Sequence, residues 1–169
     1  MLRTDHKIRM LIESSLMAAL VFAATVLVKI PIPAAGGYIH PGDAFVLLAG
    51  IALGPLWGSV AAGVGSALAD LLGGYIVYVP ATLVIKGLVA LLAALMNRRI
   101  SGIIVTALRC IPAECVMIAG YFAYEALVLG YGLAAAGEIG ANAVQGAAGV
   151  VFTALLLPIL RKTVLRGKK

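Results

Sequence analysis

Residues 36–74 read GGYIHPGDAFVLLAGIALGPLWGSVAAGVGSALADLLGG, and this stretch decides the class of the chain. Asp43 and Asp70 stand near its two ends. The 26 residues between them carry no charge, yet they are punctuated by Gly50, Gly54, Gly58, Gly63 and Gly65. A charge-free run of this length calls for lipid around it. Glycine at this density calls for close backbone packing, or for a surface that slides against a neighbour.

The whole chain has the same character. It is 63% hydrophobic and 12% charged, with a mean hydropathy of +1.09. A soluble domain is nearer half apolar and about a quarter charged. The expectation is therefore an all-α membrane protein: a compact bundle of six transmembrane helices forming one integral-membrane domain over residues 1–169. At roughly 20 residues per span, six spans use most of the length and leave no room for an ATPase or a large enzyme module. No cleavable signal peptide is expected, because the first apolar segment is too long and lacks a small-residue cleavage site.

Spans are expected over about 8–30, 42–53, 56–72, 80–96, 103–129 and 138–160. Pro31 and Pro33 stop the first. The loop that follows carries Tyr38 and His40, an aromatic ring and an imidazole suited to a lid over a pocket. Gly54-Pro55 turns the short second span into the third. Tyr75 and Tyr78 read as interfacial aromatics. In the fifth span Pro112 marks a possible kink.

The net charge of +6 reads as membrane orientation, not nucleic-acid binding. With six spans, Arg3, Lys7, Arg9, Arg98, Arg99 and the five basic residues of the C-terminal tail share one side. The opposite side holds only Lys29, near a helix end. Positive residues gather on the cytoplasmic side, so both termini are expected there, and loops 31–41, 70–79 and 130–137 face outward.

Ionisable groups inside spans are costly, and each is a functional candidate. Lys86 lies well inside the fourth span. Its plain alternative is an ion pair with Asp70 or a neighbouring acid. Arg109 lies near the basic turn and is placed to snorkel to the interface. In the fifth span Glu114, Tyr121 and Glu125 fall roughly on one helical face. In the sixth, Asn142 and Gln145 are near neighbours. These two stripes imply a polar cavity open outward, or else an interhelical hydrogen-bond network. Carboxylates suit a ligand rich in hydrogen-bond donors or carrying a cationic nitrogen. Asp43 and Asp70 fall at helix ends and are expected to serve structural ion pairing, with Lys29 or Lys86. Ser15, Ala19 and Ala23 recur every four residues on the first helix, a small-residue face that admits another helix closely.

Enzyme readings fare poorly. His6 and His40, the two histidines, lie outside the spans, and H-E-x-x-H, C-x-x-C and a phosphate-binding loop are all missing from the sequence. No metal site and no cofactor is expected. Cys110 and Cys115, five apart on one helix, read as packing residues and not as a disulfide or a metal pair. An intramembrane hydrolase using Asp43 and Asp70 would need both acids at membrane depth, and a ligand-free structural or assembly subunit of another membrane complex remains the alternative to a transport role.

Residues 37–50, 53–58, 65–71 and 78–88 (the last reading YVPATLVIKGL) together resemble the substrate-binding S component of energy-coupling factor (ECF) vitamin transporters, most closely the riboflavin-type group. The resemblance spans about residues 10–160. It implies a six-helix subunit in a prokaryotic cell membrane that captures a water-soluble vitamin or precursor from outside: riboflavin, or a pyrimidine- or pyridine-type compound. It also implies partners, namely a membrane coupling subunit and two cytoplasmic ATPases, and a subunit that topples in the membrane to deliver its ligand. Ala19 and Ala23 match the alanine pattern that such proteins turn to the coupling subunit. Tyr38, His40, Lys86, Glu114, Tyr121, Glu125, Asn142 and Gln145 occupy the loop and helices where the ligand of such proteins lies. The stretch 36–74 is accordingly expected to be scaffold and lid, with substrate choice written between Lys86 and Gln145.

Overall fold

A computed structural model describes residues 2–28, 30–32, 37–97 and 102–160. Among the described residues, seven helices make the bundle: α1 (Leu2–Leu27), α2 (Gly42–Leu53), α3 (Pro55–Gly73), α4 (Val79–Met96), α5 (Ile103–Leu108), α6 (Ile111–Ala123) and α7 (Ile139–Leu160). Between α1 and α2 lies a small antiparallel hairpin, β1 (Ile30–Ile32) with β2 (Gly37–Ile39), in which Pro31 faces Tyr38. The region expected to be an open loop is thus partly ordered as strand. Lys29, Arg98, Arg99 and the C-terminal tail lie outside the described residues.

Among the described residues, five stretches are long and apolar enough to cross a membrane: Asp5–Leu27, Pro55–Gly73, Ile76–Met96, Ile103–Val128 and Gly132–Ile159. α2 is different. Its 12 residues rise about 18 Å, well short of a bilayer core of about 30 Å. It does not need to reach across, because Asp43, Val46, Leu47, Ala49 and their neighbours are buried against α1, α3, α4 and α7. The surrounding helices do the spanning. Their outer faces carry exposed Leu16, Leu20, Leu56, Val84, Ile104, Val151 and Leu155, as a lipid-facing surface requires.

Glycine sets the spacing of the tight half. A Cβ added at Gly50 would land on the carbonyl of Ala90, and one at Gly65 would press on the carbonyl of Ala18 and on Val21. α2 therefore lies backbone-to-backbone on α4, and α3 on α1. The glycines of the opening stretch are the reason these helices approach so closely.

The fifth span breaks at Arg109–Cys110, ahead of the proline expected to kink it. Pro112 sits in the first turn of α6, where its missing N–H costs nothing. α6 then runs into one π-helical turn, Tyr124–Val128, and a 3-10 segment, Gly132–Glu138, leads into α7. Both cysteines are free thiols, Cys110 buried and Cys115 exposed.

Candidate functional site

The end of α1, His40 just after the hairpin, the start of α2, the end of α3, the start of α4, the π turn and the start of α7 meet at one end of the bundle. Under them lies a cavity of about 360 Å³, within the ordinary range for a small-molecule site.

Its deep end is an ion pair. Asp43, in the first turn of α2, is only 1% exposed, and Lys86 of α4 is 4% exposed. The Lys86 ammonium donates to Asp43 Oδ1, and also reaches Met117 Sδ at 2.9 Å and the face of the Tyr121 ring at 5.6 Å. The second oxygen of Asp43 accepts from Gln145 Nε2 at 3.0 Å, across α7. A buried charge persists only when paired and hydrogen-bonded, and this one is tied to three helices. The Tyr121 hydroxyl and Thr82 Oγ1 lie 2.9 Å apart beside it.

The mouth is acidic and aromatic. Asp70, Glu125 and Glu138 line it with Tyr75 and Tyr78. Tyr78 donates to Glu125 Oε1 at 3.3 Å, while Glu125 Oε2 is buried with no partner. The Tyr78 and Tyr124 rings stand 6.0 Å apart at 55°, tying the start of α4 to the π turn. Four acids line the cavity against one lysine and one histidine.

Of the residues expected to bind ligand, His40, Lys86, Tyr121, Glu125, Asn142 and Gln145 line this one cavity. Tyr38 lies on β2, but its side chain is outside the described structure. Glu114 lines a different space. It sits 4% exposed in the seam between α6 and α7, both carboxyl oxygens without partners, at the floor of an apolar crevice of about 370 Å³ with Cys115, Ile118 and Val150. Gly146 makes room for it, because a Cβ there would press on the Glu114 side chain.

The two acids expected to hold the scaffold divide. Asp43 takes Lys86 and is buried, not at a solvated helix end. Asp70 lines the cavity. The opening stretch thus contributes Asp43, Ser66 and Asp70 to the cavity wall, more than a scaffold and lid would. Tyr75 and Tyr78, read in the sequence as interfacial aromatics, line the cavity, and so do Thr25, Ser66, Thr82 and Glu138, which had not stood out there. Their one signal was position near helix ends at the same side of the bundle. Ser15 and Ala19 are exposed and Ala23 is half-buried, on the outward face of α1. Among the described residues, no group of three or more His, Cys, Asp or Glu is gathered as a metal site.

Comparison with known proteins places the chain. Residues 5–162 match the sequence model of the ECF-type riboflavin transporter, S component. A relative from Pyrococcus woesei, described as an uncharacterized protein in gap 3'region, is 36% identical over 144 residues, covering 85% of this chain and 96% of that one. The crystal structure of the S component for biotin from an ECF-type ABC transporter superposes with a TM-score of 0.58 at 21% identity, over 94% of each chain. At that identity the likeness speaks for the fold.

Proposed function

Since this chain belongs to the family of ECF-type riboflavin transporter S components, whose members are substrate-binding transport subunits and not enzymes, we propose that it captures a neutral or cationic, planar, water-soluble vitamin or precursor from outside the cell. Riboflavin is the first choice. The observation that carries the reading is the cavity of about 360 Å³ at one end of the bundle, walled by tyrosines and by an excess of acids. Tyrosine faces suit a flat ring. The acids suit the hydroxyls of riboflavin. The same charge balance speaks against an anionic cargo such as the carboxylate of biotin, and it keeps an amine-bearing pyrimidine or pyridine compound as the second choice.

In this reading the protein is a multi-pass subunit of a prokaryotic plasma membrane, with its termini in the cytoplasm. The ligand contacts are His40, Lys86, Tyr121, Glu125, Asn142 and Gln145, with Tyr38 above them. The partners are a membrane coupling subunit, meeting α1 along Ser15, Ala19 and Ala23, and two cytoplasmic ATPases that supply the energy. Small residues at four-residue spacing allow contact that is close and reversible.

The test is a titration of the purified chain in nanodiscs, without ATP, against riboflavin, its 5′-phosphate, biotin, and a set of pyrimidine and pyridine vitamins. Saturable, tight binding of riboflavin, at least about tenfold weaker for the phosphate ester, is the expected result. If no compound binds, the transport reading gives way to that of a ligand-free assembly subunit.

A further inference from the structure

Asp43 does more than neutralise Lys86. Its two oxygens hold two different side chains, the Lys86 ammonium on Oδ1 and the Gln145 amide nitrogen on Oδ2. A carboxylate only accepts hydrogen bonds, so it dictates which way the Gln145 amide is turned: NH2 toward Asp43, leaving Oε1 as the acceptor the amide offers the cavity. Lys86 is equally directed. It has three N–H donors, and beyond Asp43 the groups it touches are a thioether sulfur and a ring face, both weak acceptors, while the Glu114 carboxyl acts on it through charge without a hydrogen bond. A donor with strong bonding capacity to spare and an acceptor of fixed orientation thus flank one carboxylate, and both residues line the cavity.

We infer that Lys86 and Gln145, held in register by Asp43, read an adjacent carbonyl and N–H on one edge of a planar heterocycle, the carbonyl accepting from Lys86 and the ring N–H donating to Gln145 Oε1. This rests on the functional reading above and narrows it, since it selects ligands with a lactam or imide edge over those presenting only amines. Asp43 is then a positioning residue. It touches no ligand but fixes the polarity of both groups that do. The buried setting supplies the discrimination: a site built to bond an N–H leaves its acceptor unpaired when the N–H is missing.

Riboflavin carries such an edge, and N3-methylriboflavin has its N–H blocked. Equilibrium titrations of the wild-type protein with both compounds are expected to show the methylated one bound at least about tenfold more weakly. In Gln145→Leu that penalty is expected to shrink to about threefold or less, although both affinities fall. Asp43→Asn, which lets the amide turn either way, is expected to reduce the discrimination as well. The wild-type comparison stands even if a variant fails to fold. Equal binding of the two flavins by the wild-type protein, or an unchanged penalty in Gln145→Leu, overturns the inference and leaves the transport role intact. So does tight binding of an amine-only pyridine in preference to riboflavin. If no compound binds at all, the functional reading itself falls, and the inference with it.

Discussion

Between α2 and α4 the backbones meet at Gly50, where a single Cβ would strike the carbonyl of Ala90. Between α6 and α7 a glycine does the opposite, because Gly146 opens space that the unpartnered Glu114 carboxyl occupies. The first seam is closed with nothing to spare. The second holds a buried acid, an apolar crevice and, a little farther along, a π-helical turn. The cavity takes Asp43, Asp70, Thr82 and Lys86 from the tight half, and Tyr121, Glu125, Asn142 and Gln145 from the loose half. The tight half fixes the charge at the bottom of the site. The loose half, with fewer backbone-to-backbone contacts, is the side able to adjust around a ligand.

That contrast is open to breakage. The largest effect is expected at its centre. Lys86→Met or Asp43→Leu alone leaves an uncompensated buried charge and is expected to cost about 3–5 kcal/mol. The double substitution is expected to recover most of that loss. Thermal unfolding in detergent reads all three, and simple additivity would mean the two residues are not coupled. Next, Gly50→Leu is expected to lose about 3 kcal/mol or more by overpacking. Gly140→Ala on α7, where a Cβ meets open space, is expected to stay within about 0.5 kcal/mol. Equal losses at the two sites would erase the distinction between the halves.

Glu114→Leu is expected to raise stability by about 1–3 kcal/mol, since it removes an unsatisfied buried polar group. Ligand affinity is expected to hold within about threefold, because the residue faces the crevice and not the cavity. A large loss of affinity would show that the seam and the cavity are one site. The smallest effect is expected for Tyr78→Phe. It removes the hydrogen bond to Glu125, and at about 0.5–1.5 kcal/mol the ligand should bind a few-fold more weakly in the same titration, with unfolding little changed.

The helical class was legible in the sequence because apolar runs of membrane length need no tertiary information. So was the order of six apolar segments with a short second one, the fifth of which is divided into α5 and α6. The pairing of Lys86 was only half legible. An acid partner was expected, with Asp70 named first, yet which helix start faces Lys86 depends on how α2 lies against α4, and the glycines set that only in three dimensions. Glu114 shows where periodicity fails. It shares a face of α6 with Tyr121, but seven residues earlier it lies about 10 Å farther along the helix, against Gly146 of α7 and away from the cavity, and spacing gives the face of a helix and not the depth. Thr82, Ser66 and Thr25 carry no charge and no motif, so nothing in the sequence separates them from other small packing residues. Tyr78 read as an interfacial ring, and its hydroxyl reaches Glu125 inside the mouth.

The central claim is that the cavity above Asp43 and Lys86 holds the transported molecule. Its most direct test is mass spectrometry of the small molecule that co-purifies with the wild-type protein and with Asn142→Trp, which fills the cavity from α7. The expected result is a planar, uncharged or cationic vitamin-sized compound on the wild-type protein, and none on a variant of unchanged unfolding temperature. The same compound retained by Asn142→Trp, or an anionic compound on the wild-type protein, would contradict the account.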